Sequence, residues 1–153
     1  MDQADWEALY KGAVPRVYRA LLATLRDASL SEDVLHDAFL EGLLHPPDPA
    51  NNVAGWLFRV ALRRARRRPW SFLRLGDVEA TADTDETASA LDRLEAGRLL
   101  SLLTERQRAI VVAHYYLGFT HAETAELFEV RPGTVSATIA KALVRMRKGI
   151  SVV

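Results

Sequence analysis

Residues 104–143, TERQRAIVVAHYYLGFTHAETAELFEVRPGTVSATIAKAL, decide the fold of the C-terminal half of the chain. They contain two helix-initiating patterns, in which a threonine and a Gln or Glu three residues later cap each other's backbone amides. The two pairs are Thr104 with Gln107 and Thr120 with Glu123. Gly118 suits the left-handed position after the first helix, and Pro132 suits the first position of the last helix. The pattern predicts three helices, the last two joined by a tight turn, which is the layout of a helix-turn-helix.

The first half of the chain predicts further helices separated by strong stop signals. Apolar residues recur at helical spacing from Asp5 to about Arg26, and Pro15 is expected to kink or divide this helix. Ser31 is a suitable N-cap for a second helix, because the two acids after it favour the positive end of the helix dipole. The prolines of HPPDP, residues 45–49, end this second helix.

A third helix is predicted after these prolines. Asn51 or Asn52 caps it, and RRARRR, residues 63–68, forms its distal end before Pro69 closes it. Its buried side is expected to contain Val53, Trp56, Leu57, Val60 and Ala61. The sequence shows no period-two pattern of the kind that indicates a β-strand between turn residues.

The formal net charge of zero is the sum of two basic blocks and one acidic block between them. Residues 1–75 carry a net charge of +2, residues 76–97 carry −6, and residues 98–153 carry +4. The stretch GDVEATADTDETA, residues 76–88, has few apolar residues and many acids, which is typical of a flexible linker. The sequence therefore predicts an all-α protein of two small helical domains, residues 1–75 and 89–153, joined by a flexible acidic linker.

The composition argues against several classes of function. With 49% apolar residues the chain can bury a core, and without cysteine it has no disulfide, thiolate metal site or cysteine nucleophile. The four histidines show no ligand pair at helical metal spacing, and no nucleophile elbow, phosphate-binding glycine loop or pair of catalytic carboxylates is found. The first residues, MDQADWEALY, lack the basic and apolar regions expected of a signal peptide, and no run of about 18 apolar residues occurs. We therefore expect a soluble cytoplasmic protein with no cofactor, metal, membrane insertion or enzymatic activity.

Five arginines crowd the end of the third predicted helix: Arg63, Arg64, Arg66, Arg67 and Arg68. Their guanidinium groups repel one another unless an anionic partner covers them, and phosphates do so well through paired hydrogen bonds. A membrane-lipid surface is the alternative partner, although no amphipathic anchor lies beside the cluster. The pattern favours binding to a nucleic-acid backbone.

The second predicted helix has an acidic side, which could pair with basic residues on a partner helix. Its acids share or border one face and are Glu32, Asp33, Asp37 and Glu41. Each exposed ion pair contributes only about 0–1 kcal/mol, so Val34, Leu35 and Phe39 would have to supply the affinity. The alternative is that these apolar side chains belong to the core and the acids are merely solvated.

Three segments together carry a family resemblance. They are SEDVLHDAFLEGL at residues 31–43, AGWLFRVA at residues 54–61, and the capped helices within residues 102–143. In this order and spacing, the chain resembles a minimal two-domain sigma factor of the extracytoplasmic-function type. Such sigma-70 family subunits direct bacterial RNA polymerase to promoters. The resemblance covers nearly the whole chain and implies a region 2-like three-helix domain followed by a region 4-like helix-turn-helix domain.

The resemblance also implies three binding surfaces. The acidic helix would dock on the clamp helices of core RNA polymerase through Glu32, Asp33, Leu35, His36, Asp37 and Phe39. The minus-ten element of the non-template strand would be bound by Asn51, Asn52, Arg59, Arg63, Arg64, Arg66 and Arg67. Minus-thirty-five DNA would be bound by Arg131, Thr134, Ser136, Thr138, Lys141 and Arg145.

Several positions depart from the family pattern. After the Trp-Leu segment the family usually has Arg-Asn and then an Asp, whereas this chain has Leu62–Arg63 and no such Asp. Glu129 stands where the family has a turn glycine, and a left-handed backbone costs a non-glycine residue about 1 kcal/mol. Arg131 replaces a serine cap, and Ser136 and Thr138 replace basic residues. These departures predict a retained fold with weakened or altered sequence reading.

Two hypotheses follow. In the first, the chain is a sigma factor without chemistry of its own, which binds promoter DNA and the clamp helices and flap of core polymerase. Its linker would pass through the polymerase channel, and an anti-sigma factor would hold both domains. In the second, it is a sigma-like regulatory protein or decoy that acts through protein–protein contacts, with weak or absent sequence-specific DNA binding. The uncharged Ser136-Ala137-Thr138 surface motivates the second, and a salt titration of DNA binding separates the two.

Overall fold

The computed structural model of the chain describes residues 3–48, 52–67 and 95–151, which contain helices and no β-strand. The expected all-α fold is confirmed. Contacts between Cα atoms divide the chain into two units, residues 1–80 and 81–153. The predicted domain boundaries and the acidic linker between them lie outside the described residues. No helix among the described residues has the length and apolar character needed to cross a membrane.

The first unit contains three helices that pack against one another in pairs. They are α1 (Gln3–Leu25), α2 (Ala28–Leu44) and α3 (Val53–Arg66). Each helix contributes fully buried side chains, among them Val17 and Leu21 of α1, Val34 of α2, and Leu57 and Phe58 of α3. Helix α3 therefore has a buried side that holds it against α1 and α2, while the opposite side is available to solvent.

Two local signals in the first unit turn out differently from expectation. Pro15 was expected to kink or divide α1, and the division is wrong, because the helix continues from Gln3 to Leu25 with the proline inside it. Ser31 is not the N-cap of α2, since the Asp27 carboxylate accepts a hydrogen bond from the Leu30 amide at 3.0 Å and the helix begins at Ala28. Ser31 instead lies within α2, fully buried, and its hydroxyl has no hydrogen-bond partner.

The ends of α2 and α3 follow the predicted signals. Helix α2 ends at Leu44, directly before the prolines, and the His45 amide donates to the Glu41 carbonyl at 2.7 Å. Asn52 is the N-cap of α3, and its side-chain oxygen accepts from the Gly55 amide at 3.2 Å. Helix α3 ends at Arg66 inside the arginine run.

An indole joins all three helices of the first unit. Trp6 of α1 is 1% exposed and donates from Nε1 to the Phe39 carbonyl of α2 at 3.1 Å. Its ring lies against Gly42 of α2, where a Cβ atom would overlap it. Trp56 of α3 meets the same ring edge-on, with ring centres 5.4 Å apart. Trp56 was expected in the core, and the structure leaves it partly exposed beside this buried indole.

The second unit contains the predicted trihelical arrangement. Residues 95–101 form helix α4, followed by α5 (Glu105–Val111), α6 (His121–Phe128) and α7 (Pro132–Ser151). Both predicted capping boxes are present. The Gln107 amide donates to Thr104 Oγ1 at 3.2 Å, and the Glu123 amide donates to Thr120 Oγ1 at 3.0 Å. Local sequence thus fixes where α5 and α6 begin.

A π-helical turn extends α5, which the sequence did not predict. The α-helix expected to reach Leu117 ends at Val111, and Val112–Tyr116 continue as a π turn in which the Leu117 amide donates to the Val112 carbonyl at 3.1 Å. Gly118 then adopts the predicted left-handed backbone, with φ of +76°. Glu129 after α6 is also left-handed, with φ of 56° and ψ of 45°.

Candidate functional sites

The acidic helix α2 presents an exposed stripe in which every residue lies four positions from the next. Glu32, His36, Leu40 and Leu44 form this stripe, and all four are exposed. Leu40 is 44% exposed and Leu44 is 76% exposed, so the end of the stripe is apolar. Asp33 and Asp37 flank it, the first exposed and the second half-buried. These four residues are called the α2 stripe.

Two apolar residues predicted for polymerase binding lie differently from expectation. Leu35 is 4% exposed and belongs to the core with Val34, so its side chain offers no surface to a partner. Leu35 is therefore removed from the predicted docking set. Phe39 is half-buried, with its ring centre 4.5 Å from that of Tyr10 and 6.5 Å from that of His36. Burial raises the pKa of the Tyr10 hydroxyl, which keeps this contact neutral to higher pH.

The residues predicted to bind minus-ten DNA fall mostly on one line along α3. Spacings of four and three residues place Asn52, Trp56, Arg59, Arg63 and Arg66 on one side of the helix. Asn52, Arg63 and Arg66 are exposed, whereas Trp56 and Arg59 are partly buried. With a rise of about 1.5 Å per residue, the line is on the order of 20 Å long. The name α3 line is used below for these five residues.

Intramolecular contacts restrain some of the arginines. Arg64 lies off the line and donates to Glu41 Oε1 of α2 at 3.3 Å, forming an ion pair whose side chains are 42% and 33% exposed. Arg59, on the α3 line, is partly buried, and its Nε atom is buried without a hydrogen-bond partner. Arg67 is exposed at the end of α3. Asn51 and Arg68 lie outside the described residues.

Helix α7 presents a second polar line. Arg131 precedes the helix, and Thr134, Thr138, Lys141, Arg145 and Lys148 follow it at spacings of three and four residues. All of these side chains are exposed except that of Thr138, which is partly exposed. The basic end of this line borders an open cleft of about 430 Å³ lined by Gln107, Ala140, Lys141, Val144, Arg145 and Lys148. The name α7 line is used below for Arg131, Thr134, Thr138, Lys141, Arg145 and Lys148.

The hydroxyl groups of Ser136 and Thr138, near the start of α7, already make hydrogen bonds within the protein. Thr138 Oγ1 donates to the Thr134 carbonyl at 2.8 Å. Ser136 lies off the α7 line, and its Oγ contacts the Pro132 carbonyl at 3.3 Å and His121 Nδ1 at 3.1 Å. A hydroxyl has one hydrogen to donate and a phosphate oxygen needs a donor, so neither side chain offers one without breaking a contact. The charged donors of the line are therefore Arg131, Lys141, Arg145 and Lys148.

Sequence reasoning missed two groups of residues that lie on these surfaces and one contact that lies away from them. Leu40 and Leu44 were signalled only by being leucines out of phase with the buried face of α2. Lys148 was signalled by its spacing of three from Arg145. The contact between His114 and His121, with ring centres 4.7 Å apart, had no signal because the tight turn before α6 creates it.

Family comparisons agree with this arrangement of helices and surfaces. Residues 9–69 match the family described as Sigma-70 region 2, and residues 93–146 match Sigma-70, region 4. The first match contains the α2 stripe and the whole α3 line, and the second contains α4, α5, α6 and α7 as far as residue 146. The chain therefore belongs to the sigma-70 family of RNA polymerase sigma factors.

Curated relatives that align with nearly the whole chain show which group of the sigma-70 family it belongs to. It is 30% identical over 157 residues to the ECF RNA polymerase sigma factor SigL of Mycobacterium tuberculosis (strain ATCC 25618 / H37Rv), covering 95% of this chain and 89% of SigL. It is 28% identical over 160 residues to RpoE of Cereibacter sphaeroides, covering 98% and 88%. Within the family, the chain is a sigma factor of the extracytoplasmic-function group. This membership favours the first hypothesis over the decoy.

Solved structures share the fold. RpoE of Bartonella quintana, in complex with the anti-sigma factor NepR, matches with a TM-score of 0.73 and 18% identity, covering 97% of this chain and 98% of that one. CnrH, in complex with the cytosolic domain of CnrY, matches with a TM-score of 0.70 and 19% identity, covering 99% and 90%. Both matches show a common architecture at low sequence identity.

Proposed function

We propose that this sigma factor docks on core RNA polymerase through the α2 stripe and binds promoter DNA through the α3 and α7 lines. The observation that carries the proposal is the match to both sigma-70 regions, each containing an exposed helix face suited to a partner. The role needs binding and positioning rather than catalysis. It places the protein in the cytoplasm, where the polymerase works.

Docking through α2 would combine charge and apolar contact. Glu32 and the flanking Asp33 and Asp37 attract basic residues of the clamp helices, but exposed ion pairs contribute little on their own. Leu40 and Leu44 supply apolar area, since burying a leucine side chain contributes about 1.5–3 kcal/mol. This division gives Leu40 and Leu44 the role that the sequence had assigned to Leu35.

The α3 line suits a single strand. Its exposed Arg63 and Arg66 can contact phosphates, and the half-exposed Trp56 offers a ring edge beside them. Leu62 is buried at 3% exposure where the family usually has arginine, so we propose that Asn52 of this line, with its chain neighbour Asn51, contacts the bases. Minus-ten binding therefore rests more on phosphate contacts than on base contacts.

The α7 line suits the backbone of a duplex. Lys141, Arg145 and Lys148 supply charge near the end of the helix, whereas the hydroxyls of Ser136 and Thr138 are engaged within the protein. Bidentate base contacts contribute roughly 1–3 kcal/mol of discrimination each, and this helix start offers Arg131 as its charged candidate. We therefore propose that minus-thirty-five binding is retained with reduced sequence discrimination.

Further partners follow from the relatives. The second unit is proposed to contact the polymerase flap as well as DNA. Because the two solved sigma factors with this fold are complexes, one with the anti-sigma factor NepR and one with CnrY, an anti-sigma factor is also proposed for this chain.

Docking is tested by replacing both exposed leucines. We expect Leu40→Ala with Leu44→Ala to weaken binding to core polymerase at least about tenfold, because about 1.4 kcal/mol corresponds to that factor. Fluorescence anisotropy of the labelled full-length chain measures the affinity. Leu9→Ala is the matched control, since Leu9 is 38% exposed on α1 and lies outside the proposed surface. Equal affinities of the double variant and the control would remove α2 from the docking site.

DNA binding is tested by a salt titration. Each phosphate contact to a single strand contributes about 0.7 to the slope of log affinity against log salt. We expect Arg63→Ala with Arg67→Ala to reduce this slope by about 1.4 on a single-stranded minus-ten oligonucleotide bound with core polymerase. Lys11→Ala, an exposed cation of α1, is the control and should leave the slope unchanged. A slope insensitive to the double variant would contradict phosphate binding by α3.

A further inference from the structure

Two histidines that are separate in sequence meet beside the recognition helix α7. His114 belongs to the π turn and His121 is the first residue of α6. Their ring centres are 4.7 Å apart, and their planes are inclined by 55°. A π turn inside an α-helix frequently marks a functional site, and here it carries one member of the pair. Neither histidine belongs to the surfaces assigned to polymerase or DNA.

The ring of His114 has a defined tautomer. Its Nδ1 lies 2.7 Å from the Phe119 carbonyl oxygen. A carbonyl oxygen only accepts hydrogen bonds, so Nδ1 must carry the hydrogen. In the neutral ring, Nε2 then keeps its lone pair. A histidine that donates from one nitrogen to a backbone carbonyl is oriented in the way that is usual for metal-binding histidines.

The ring of His121 is held by a serine. Its Nδ1 lies 3.1 Å from Ser136 Oγ, and that oxygen lies 3.3 Å from the Pro132 carbonyl. When the serine hydrogen is donated to the carbonyl, the serine oxygen accepts from His121 Nδ1–H. The neutral ring again keeps a free lone pair on Nε2. The two rings therefore have matching outer partners, both oxygens of the protein.

The spacing of the rings suits one shared ion. Zinc–imidazole bonds are about 2.0–2.1 Å long, which puts each ring centre roughly 3.2 Å from a bound ion. Two ring centres at the observed 4.7 Å then subtend about 95° at that ion, between the octahedral and tetrahedral angles.

We propose that His114 and His121 bind a divalent transition-metal ion that prefers imidazole ligands, such as Zn²⁺, Ni²⁺ or Cu²⁺, through their Nε2 atoms. Among the described residues, no group of three or more His, Cys, Asp or Glu side chains could hold a metal ion. The protein therefore supplies two ligands and water fills the remaining positions. Such a site exchanges its ion, unlike a closed structural zinc site.

A bound ion would connect the helices of the second unit. It would fasten the π turn to the start of α6, and through His121 Nδ1–H it would hold Ser136 of α7. Coordination at Nε2 makes the opposite N–H a stronger donor, so the serine would stay turned toward α6. The site thus reaches the helix proposed to contact DNA without itself contacting DNA.

Calorimetric titration of the full-length chain, free of any histidine tag, tests the site with Zn²⁺ and Ni²⁺ at pH 7.5. We expect one site, and we expect His121→Ala to weaken it at least about tenfold because one of two ligands is lost. His121 is exposed, so this replacement leaves the core intact. Ser136→Ala should weaken binding about tenfold through the lost outer contact.

Controls decide whether the ion is held at this pair. His36→Ala with His45→Ala removes two exposed histidines of the first unit and should leave the affinity unchanged. The electron paramagnetic resonance spectrum of bound Cu²⁺ should show coupling to two imidazole nitrogens, and His121→Ala should lower the number to one. Binding that survives His121→Ala, or that is lost equally in the double control, overturns the proposal.

Discussion

Glu129 and Arg26 hold backbone angles that favour glycine, with φ of 56° and 57°. Each follows the last turn of a helix, Glu129 after α6 and Arg26 after α1. The left-handed angle turns the chain back onto the helix, so that the Val130 amide donates to the Ala125 carbonyl and the Arg26 amide to the Leu22 carbonyl, both at 2.9 Å. The fold keeps these caps at a cost of about 1–2 kcal/mol for each non-glycine residue.

Glu129→Gly is expected to stabilise the second unit by about 1 kcal/mol, because glycine adopts this angle without steric cost. Urea unfolding followed by circular dichroism measures the change. Glu129→Ala is the matched control and should bring no gain, since alanine keeps the Cβ atom that opposes the angle. A variant with glycine no more stable than the one with alanine would contradict a left-handed residue at this position.

Caps that depend on neighbouring residues could be predicted, and those decided by packing could not. Thr104 and Thr120 are capping residues because their partners stand three positions away in the sequence. Ser31 was predicted as a cap from the two acids that follow it, yet Asp27 caps the helix one turn earlier and Ser31 is fully buried. Leu35 likewise could not be assigned to core or surface without knowing which side of α2 faces α1 and α3.

At the scale of helices, tertiary contacts override two local signals. Proline inside a helix costs about 3 kcal/mol, yet α1 continues through Pro15 because Trp6 before it and Val17 after it are both buried against α2 and α3. The π turn is a second case, because no residue type in Val112–Tyr116 predicts it. It is followed by the left-handed Gly118, and the Phe119 amide donates to the Ala113 carbonyl at 2.9 Å.

The packing of α1 on α2 is expected to fail in Gly42→Ala. A Cβ atom there would overlap the indole ring of Trp6, which is 1% exposed. Overpacking of this kind costs typically 1–3 kcal/mol. Thermal unfolding and tryptophan fluorescence measure the loss. Gly12→Ala in α1 is the control, because nothing lies within 4 Å of its Cβ position and helix propensity favours alanine. Equal stability of the two variants would contradict the Trp6–Gly42 contact.

At the scale of the molecule, each unit buries its own apolar residues. Leu57 and Ile110 are both fully buried, the first in the unit of α1–α3 and the second in the unit of α5–α7. The sequence predicted two domains from the charge pattern of the connector. The acidic linker and the domain boundaries remain predictions, because they lie outside the described residues.

Hydrogen exchange tests the division into two domains. Leu57→Ala should lower the opening free energy of amides in α1–α3 by about 2–5 kcal/mol and leave those of α5–α7 unchanged. Ile110→Ala should do the reverse. Mass spectrometry of peptides from the full-length chain reports each unit separately. Loss of protection throughout the chain in either variant would show a single cooperative unit instead.

The cap of α3 has one consequence for how strand binding can be engineered. The Asn52 oxygen that holds the Gly55 amide belongs to the same side chain that is proposed to meet a nucleotide. Aspartate closes a helix start as well as asparagine does, but its charge repels a polyanion. Asn52→Asp would thus keep the start of α3 capped while weakening the contact of this residue with a nucleotide.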